Sequence, residues 1–301
     1  MKIIAGIDGG GTGTILELTD LSGNPLKRER FGPFNLNSIG RERFEQLLIE
    51  IFEVINTAGE CSAICIGAAG ISNPSVNRIV EETAERYGLS GRLILRGDHE
   101  TALYGATGGG PGIILIAGTG SVCVGMNNAF KTVRSGGWGH LIDDAGSGYA
   151  LGRDALAAVV QAFDGRQKET VLTELIFRQL SVPDIGGLIH YVYGTADKSH
   201  IAALAPLVEE AGRMGDEAAL RILNQNGEAL ARLVEAVYHQ LKMEKISLSL
   251  LGGLLIHDTL LKETALQAIN ILLPAIHMEA PKMDAACGAA LLALSTCRAP
   301  L

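Results

Sequence analysis

The amino-acid sequence predicts an α/β protein of two lobes with a cleft between them, and three observations carry that expectation. Short apolar, β-rich runs alternate with helical stretches whose apolar residues recur every three or four positions. A strand, a turn of glycine and threonine and a second strand open each half of the chain. Between the halves lies Gly108-Gly109-Gly110-Pro111-Gly112, the strongest local break, which reads as a hinge.

In the first half, Ile3 to Ile7 forms a strand ending at Asp8, Gly9 to Gly13 the turn, and Thr14 to Thr19 the returning strand. Pro25 to Arg30 adds a third strand after the Ser22-Gly23-Asn24 turn. Arg41 to Thr57 carries Phe44, Leu47, Leu48, Ile51, Phe52 and Ile55 on one face, as a helix buried on one side requires. A strand at Ala63 to Gly67, a helix at Asn77 to Tyr87 and a strand at Leu93 to Leu95, ending beside Asp98, complete a βββαβαβα order. The second half restarts with Ile113 to Ala117, the Gly118-Thr119-Gly120-Ser121 turn and Val122 to Met126. A glycine-rich loop runs from Gly136 to Gly148, a helical insertion spans Tyr149 to about Met243, and Ile246 to Leu251 is expected as the last strand of the sheet. An Ala- and Leu-rich closing helix, Asp284 to Ser295, is expected to pack back on the first lobe, so the lobes divide at about 1–110 and 111–284.

Composition narrows the function classes. The 301 residues are 47% hydrophobic and 19% charged, which excludes a disordered polyelectrolyte and gives enough apolar surface for two cores. Thirty-three acidic against 25 basic residues leave a net charge of −8, unsuited to tracking nucleic-acid phosphates or an acidic membrane. No run approaches the ~18 apolar residues of a spanning helix, and the N-terminal apolar run meets Asp8 too soon for a signal peptide, so a cytoplasmic protein is expected. Cys61, Cys65, Cys123, Cys287 and Cys297 are scattered, with no metal-ligand spacing, and read as reduced thiols.

Turns of glycine and threonine expose backbone N–H groups and hydroxyls with little side chain in the way, a donor surface suited to phosphate oxygens. Read singly, each is more often a tight hairpin than a phosphate cradle. Neither a Walker A motif nor G-x-G-x-x-G occurs, which argues against P-loop and dinucleotide-binding folds. Asp98 follows a strand and precedes a helix, where a carboxylate serves either as a rigidly supported base or as a helix cap. Asp8, directly before the triple glycine, meets phosphates only with a cation between them; otherwise it starts an Asx-type turn.

In family order, Asp8-Gly9-Gly10-Gly11-Thr12, Gly118-Thr119-Gly120-Ser121, Gly136-Gly137-Trp138-Gly139-His140 with Asp144-Ala145-Gly146-Ser147, and Gly252-Gly253 resemble the motifs of the sugar kinase, actin and heat-shock ATPase superfamily. Within it, the chain resembles the N-acetylglucosamine kinase and BadF/BadG family from Lys2 to Leu294. That resemblance implies two ribonuclease-H-like lobes with ATP and a sugar between them. It assigns Gly10, Gly11, Thr12, Gly118, Thr119, Gly120, Ser121, Gly252 and Gly253 to ATP, Asp8 to Mg²⁺, and Asn35, Gly137, Trp138, Asp144 and Asp98 to the sugar, with Asp98 as general base toward the 6-hydroxyl. Asn37 competes with Asn35; Asp144 is alternatively a cap for the helix starting near Ser147, and Trp138 a core aromatic. His140 is expected to make structural hydrogen bonds. Homodimerisation through the helical insertion is also implied.

Three departures from the family pattern bear on specificity. Gly13 stands where relatives carry Lys or Arg, Val122 where acetamido-sugar kinases carry Asn, and Ala145 where an acidic residue follows Asp144. N-acetylglucosamine, glucosamine, N-acetylmuramic acid and glucose are the candidate substrates. The alternative is an ATPase activator of a 2-hydroxyacyl-CoA dehydratase or benzoyl-CoA reductase system, whose iron–sulfur cluster needs cysteines on a loop; none of the five lies on one by this reading.

Overall fold

The computed structural model describes residues 1–71, 73–243 and 245–298. The chain forms two compact units: Met1–Gly112 with the segment from Ala280 onward, and Ile113–Glu279.

The first unit contains β1 (Lys2–Gly9), β2 (Thr14–Thr19), β3 (Pro25–Phe31), α1 (Leu36–Ile39), α2 (Arg41–Ala58), β4 (Glu60–Ala68), α3 (Pro74–Arg86), β5 (Leu93–Arg96) and α4 (Asp98–Thr107). Its sheet runs β3-β2-β1-β4-β5, antiparallel from β3 to β1 and parallel from β1 to β5. β1 and β4 are buried almost throughout, as a strand covered on both faces must be. The apolar face of α2, Phe44 through Ile55, covers one side of this sheet. α3 starts at Pro74, three residues before the expected Asn77, because Asn73 caps it by accepting from the Ser75 N–H and proline suits the first helical position.

The second unit follows with β6 (Gly112–Ala117), β7 (Ser121–Met126), β8 (Thr132–Gly136), α5 (Gly148–Phe163), α6 (Leu172–Leu180), α7 (Ile185–Gly194), α8 (Lys198–Ala202), α9 (Ala205–Arg213), α10 (Glu217–Leu241), β9 (Ser247–Leu251), α11 (Gly253–Ile256), α12 (Leu260–Leu272) and β10 (His277–Met278). Its sheet order, β10-β9-β6-β7-β8, repeats that of the first unit strand for strand. Two edge strands exceed the expectation: β8 lies beyond β7, and β10 extends the sheet past β9, which is therefore not its last strand. The 25-residue α10 buries Ile222, Leu223, Leu230, Val234 and Val237 in the core of this unit.

α13 (Ala285–Arg298) closes the first unit. It packs so closely on β1 that a Cβ at Gly6 would lie 2.2 Å from the Ala290 amide nitrogen and 2.4 Å from the Ala286 carbonyl oxygen. Backbone atoms cannot yield as a side chain does, so Gly6→Ala is expected to lower unfolding free energy by roughly 2 kcal/mol or more. Urea denaturation checks this, and an unchanged midpoint would contradict it.

Candidate functional site

In the first unit, the predicted carboxylates gather at the C-terminal ends of parallel strands. Asp8 pairs across the sheet with Gly67 of β4, and Gly67 with Arg96 of β5, two residues before Asp98. Two strand spacings therefore separate Asp8 from Arg96, about 10 Å. Asp98 is the first residue of α4, and the helix cap is Gly97, whose N–H donates to Glu100 Oε1 at 3.2 Å. The Asp98 carboxylate thus does not cap α4; its Oδ1 accepts from the His99 N–H at 2.9 Å and lies 3.4 Å from His99 Nδ1.

These carboxylates have opposite electrostatic settings. Burial pushes the Asp8 pKa up to about 6, reinforced by the negative charges of Asp98 and Asp284 and opposed by Arg28. The Asp98 side chain is half exposed, at 52%, although protein surrounds it closely enough to penalise its charge. That penalty is outweighed by the His99 hydrogen bonds and charge, which hold Asp98 below its ordinary value. Arg28 is placed by Glu17, which accepts from Nη1 at 2.9 Å, and by Asp284 at the start of α13.

The first glycine turn spends few of its own donors. Gly10 N–H bonds to Gly13 O at 3.0 Å, while Gly11 and Thr12 are exposed and, among the described residues, their N–H groups have no protein acceptor. Asn35 follows Phe34, whose N–H donates to Gly10 O. The Asn35 side chain caps α1, its Oδ1 accepting from Asn37 N at 3.1 Å; both asparagines are exposed.

In the second unit, Gly118 O accepts from Gly148 N and Thr119 O from Tyr149 N, so the start of α5 anchors the second glycine turn. Ser121 is buried, and its hydroxyl donates to Ala145 O at 2.7 Å, so that proton is committed to the loop rather than to a ligand. Gly252, at φ +86°, lies so close to the end of β6 that a Cβ would sit 2.3 Å from Ala117 O. This places Gly252 and Gly253, at the start of α11, beside the Gly118 turn. Asp144 is 2% exposed, and Lys198 Nζ donates to its Oδ2 at 2.7 Å. Ser147 caps α5 in its place, accepting from Ala150 N.

Trp138 is 64% exposed and therefore not a core aromatic. Its ring covers the Arg134 guanidinium at 4.3 Å, and Arg134 also donates to the Gly136 and Gly137 carbonyls. His140 packs its ring edge-on against Tyr149, a ring contact where hydrogen bonding was expected.

Sequence reasoning thus missed His99, Lys198, Arg28 and Asp284 as neighbours of site carboxylates. Only His99, adjacent to Asp98, had a local signal. Cys61, Cys65 and Cys123 are buried on strands, where burial pushes the first two thiols up to about 11 and about 12. Among the described residues no group of three or more His, Cys, Asp or Glu is placed to hold a metal, and no helix is long and apolar enough to cross a membrane.

The sequence matches the BadF/BadG/BcrA/BcrD ATPase family over residues 5–293. The chain belongs to that family. This BadF/BadG-family chain is 37% identical to the N-acetylmuramic acid/N-acetylglucosamine kinase of Clostridium acetobutylicum, over 99% of its own length and 100% of the relative's. It is 31% identical to the N-acetyl-D-glucosamine kinase of Dictyostelium discoideum, over 98% of both chains. Its fold matches the crystal structure of a candidate N-acetylglucosamine kinase from Chromobacterium violaceum with a TM-score of 0.76 at 32% identity, covering 98% of this chain and 99% of the other. The two five-stranded sheets are accordingly the paired lobes of the sugar-kinase fold.

The Asp8 setting gives a pH prediction. Its folded pKa lies above the ordinary 3.8, so the stability it contributes is present below about pH 4 and lost as pH rises through about 6. Asp8→Asn cannot ionise. The ligand-free variant should gain on the order of 1–2 kcal/mol relative to the parent between about pH 4 and 7. Denaturation across that range checks it; parallel pH curves would contradict it.

Proposed function

We propose that this protein phosphorylates the 6-hydroxyl of an amino sugar, N-acetylglucosamine or a close relative, using ATP. The observation that carries the proposal is the pair of strand-end carboxylates with opposed environments: Asp98 held ionised by His99, Asp8 disfavoured as a bare anion by burial. Two carboxylates displaced in opposite directions mark separate chemical roles. The curated relatives, aligned along nearly their whole lengths, are amino-sugar kinases, and this supports the same substrate class.

Asp98 accepts the hydroxyl proton as the sugar oxygen forms its bond to the γ-phosphorus and the bond to the bridging oxygen of ADP breaks. An ionised carboxylate is required, and the His99 contacts keep it so. Asp8 fits a Mg²⁺ ion, because a buried carboxylate whose charge is penalised is relieved by a cation, and one or two carboxylates with phosphates suffice for this metal. Bound Mg²⁺ supplies neutralisation of phosphate charge. Gly11 and Thr12 offer unspent N–H donors to phosphate oxygens beside Gly10, whose own N–H is taken by Gly13 O; Gly118, Thr119, Gly120 and Ser121 form a second glycine turn for the phosphates, in which the Gly118 N–H and the Ser121 hydroxyl are already taken by Gly120 O and Ala145 O, and Gly252 and Gly253 take the adenosine. Asn35, Gly137, Trp138 and Asp144 bind the sugar. A cytoplasmic homodimer is part of the same reading: the cytoplasmic location rests on the N-terminal sequence, which meets Asp8 too soon for a signal peptide, and the dimer on the family resemblance alone.

Coupled ADP release with Mg·ATP against N-acetylglucosamine, N-acetylmuramic acid, glucosamine and glucose tests the proposal. Release should depend on an amino sugar, and Asp98→Asn should lower kcat roughly 10²- to 10⁴-fold with the fold intact. Release indifferent to every sugar, or surviving Asp98→Asn, would overturn it.

A further inference from the structure

Lys198 is, among the described residues, the cation joined to the candidate sugar-binding carboxylate Asp144, and nothing in the family motifs points to it. It opens α8, with Asp197 capping that helix by accepting from Ser199 N and His200 N, so the Lys198 backbone is fixed. Its Nζ donates to Asp144 Oδ2 at 2.7 Å; the two side chains are 33% and 3% exposed. Asp144 itself stands at φ +63°, a backbone conformation uncommon for a residue with a Cβ. The loop following it is pinned twice more: Ser121 Oγ donates to Ala145 O, and Gly146 N donates to Asn226 Oδ1 at 3.0 Å. Gly146, at φ +78°, is pressed against α10, where a Cβ would meet Leu230 Cγ at 2.3 Å.

These ties hold the peptide backbone, whereas among the described residues it is Lys198 that holds the carboxylate. Among the described residues Asp144 Oδ1 accepts no hydrogen bond. A carboxylate with one oxygen tied to an ammonium and the other unspent is oriented to accept from a ligand hydroxyl. The pair also lies against the second glycine turn: a Cβ at Gly120 would be 3.1 Å from Asp144 Oδ2 and 3.2 Å from Lys198 Nζ.

We propose that Lys198 is a positioning residue for sugar binding, which fixes the Asp144 carboxylate so that Oδ1 meets a sugar hydroxyl. This rests on the sugar-kinase reading and on Asp144 as a sugar ligand. Removing the partner of a buried carboxylate leaves an uncompensated charge that turns toward water or protonates, and either result misplaces Oδ1. A cation serving phosphates instead would act on ATP, so the two roles separate kinetically.

The test is steady-state kinetics with N-acetylglucosamine and Mg·ATP. Lys198→Met should raise the sugar KM about tenfold or more while the ATP KM at saturating sugar stays within about threefold. Lys198→Arg, which keeps the cation, should return the sugar KM to within about threefold of the parent. In an Asp144→Asn background, Lys198→Met should add no more than about twofold, since both remove one interaction. A merely structural lysine would lower melting temperature and active fraction without this KM split. If Lys198→Met does not fold, Lys198→Gln, which removes the charge and keeps a polar side chain at this position, replaces it, and the sugar KM must rise. An unchanged sugar KM, a rise confined to ATP, or an additive double variant overturns the inference while leaving the kinase reading standing. A parent without sugar-dependent ADP release would overturn both.

Discussion

The contact of α13 with β1 and α4 is the constraint on which the first unit's chemistry depends. It is made nearly backbone to backbone: Gly6 faces Ala286 and Ala290, a Cβ at Gly288 would lie 2.0 Å from Thr101 O, and one at Gly105 would lie 2.1 Å from Asp284 O. Helix and sheet at this distance leave no slack for rotation. Because α4 begins with Asp98 and β1 ends beside Asp8, the packing fixes the two carboxylates relative to one another through three rigid elements. The segment from Ala280 returns to the first unit after the whole second unit has intervened, so this geometry exists only once both ends of the chain are in place.

That rigidity gives the electrostatics their meaning. Asp8 is buried within range of Asp98 and Asp284, with Arg28 opposing them, and it stays a costly anion. Asp98 also carries a desolvation penalty but is compensated locally by its own neighbour, His99. The second unit solves a related problem differently. Asp144 is more deeply buried than either, and its charge is met by Lys198 from a separate helix. Each carboxylate is thus set in a distinct environment: burial close to other carboxylates, a helix N-terminal neighbour, and a long-range ion pair.

Much of this was legible in local sequence. The alternation of apolar runs placed the principal strands, the one-faced periodicity of residues 41–57 placed α2, and the glycine turns marked themselves by composition. Of the elements not foreseen, α12 carries a clear signal in Leu261, Ala265 and Ile269 at four-residue steps, whereas the others carry weak ones. β8, Thr-Val-Arg-Ser-Gly, is an edge strand with little apolar alternation, β10 has two exposed residues, and α1 is a single turn. Trp138, expected as either ligand platform or core, is flanked by Gly137 and Gly139, and that loop composition already argued for the exposure observed. Lys198 lies 54 residues from Asp144 on a five-residue helix, a pairing that only tertiary structure creates. Asp98 looked equally like a cap until Gly97 and Glu100 were seen to take that duty.

The central claim is a transfer of phosphate to one particular hydroxyl, and identifying the product tests it most directly. Phosphorus–proton correlation NMR of the material formed from N-acetylglucosamine and Mg·ATP should show the new phosphorus coupled to the methylene protons at carbon 6. Inorganic phosphate as the sole product, or a phosphorus coupled to the anomeric proton, would contradict the account.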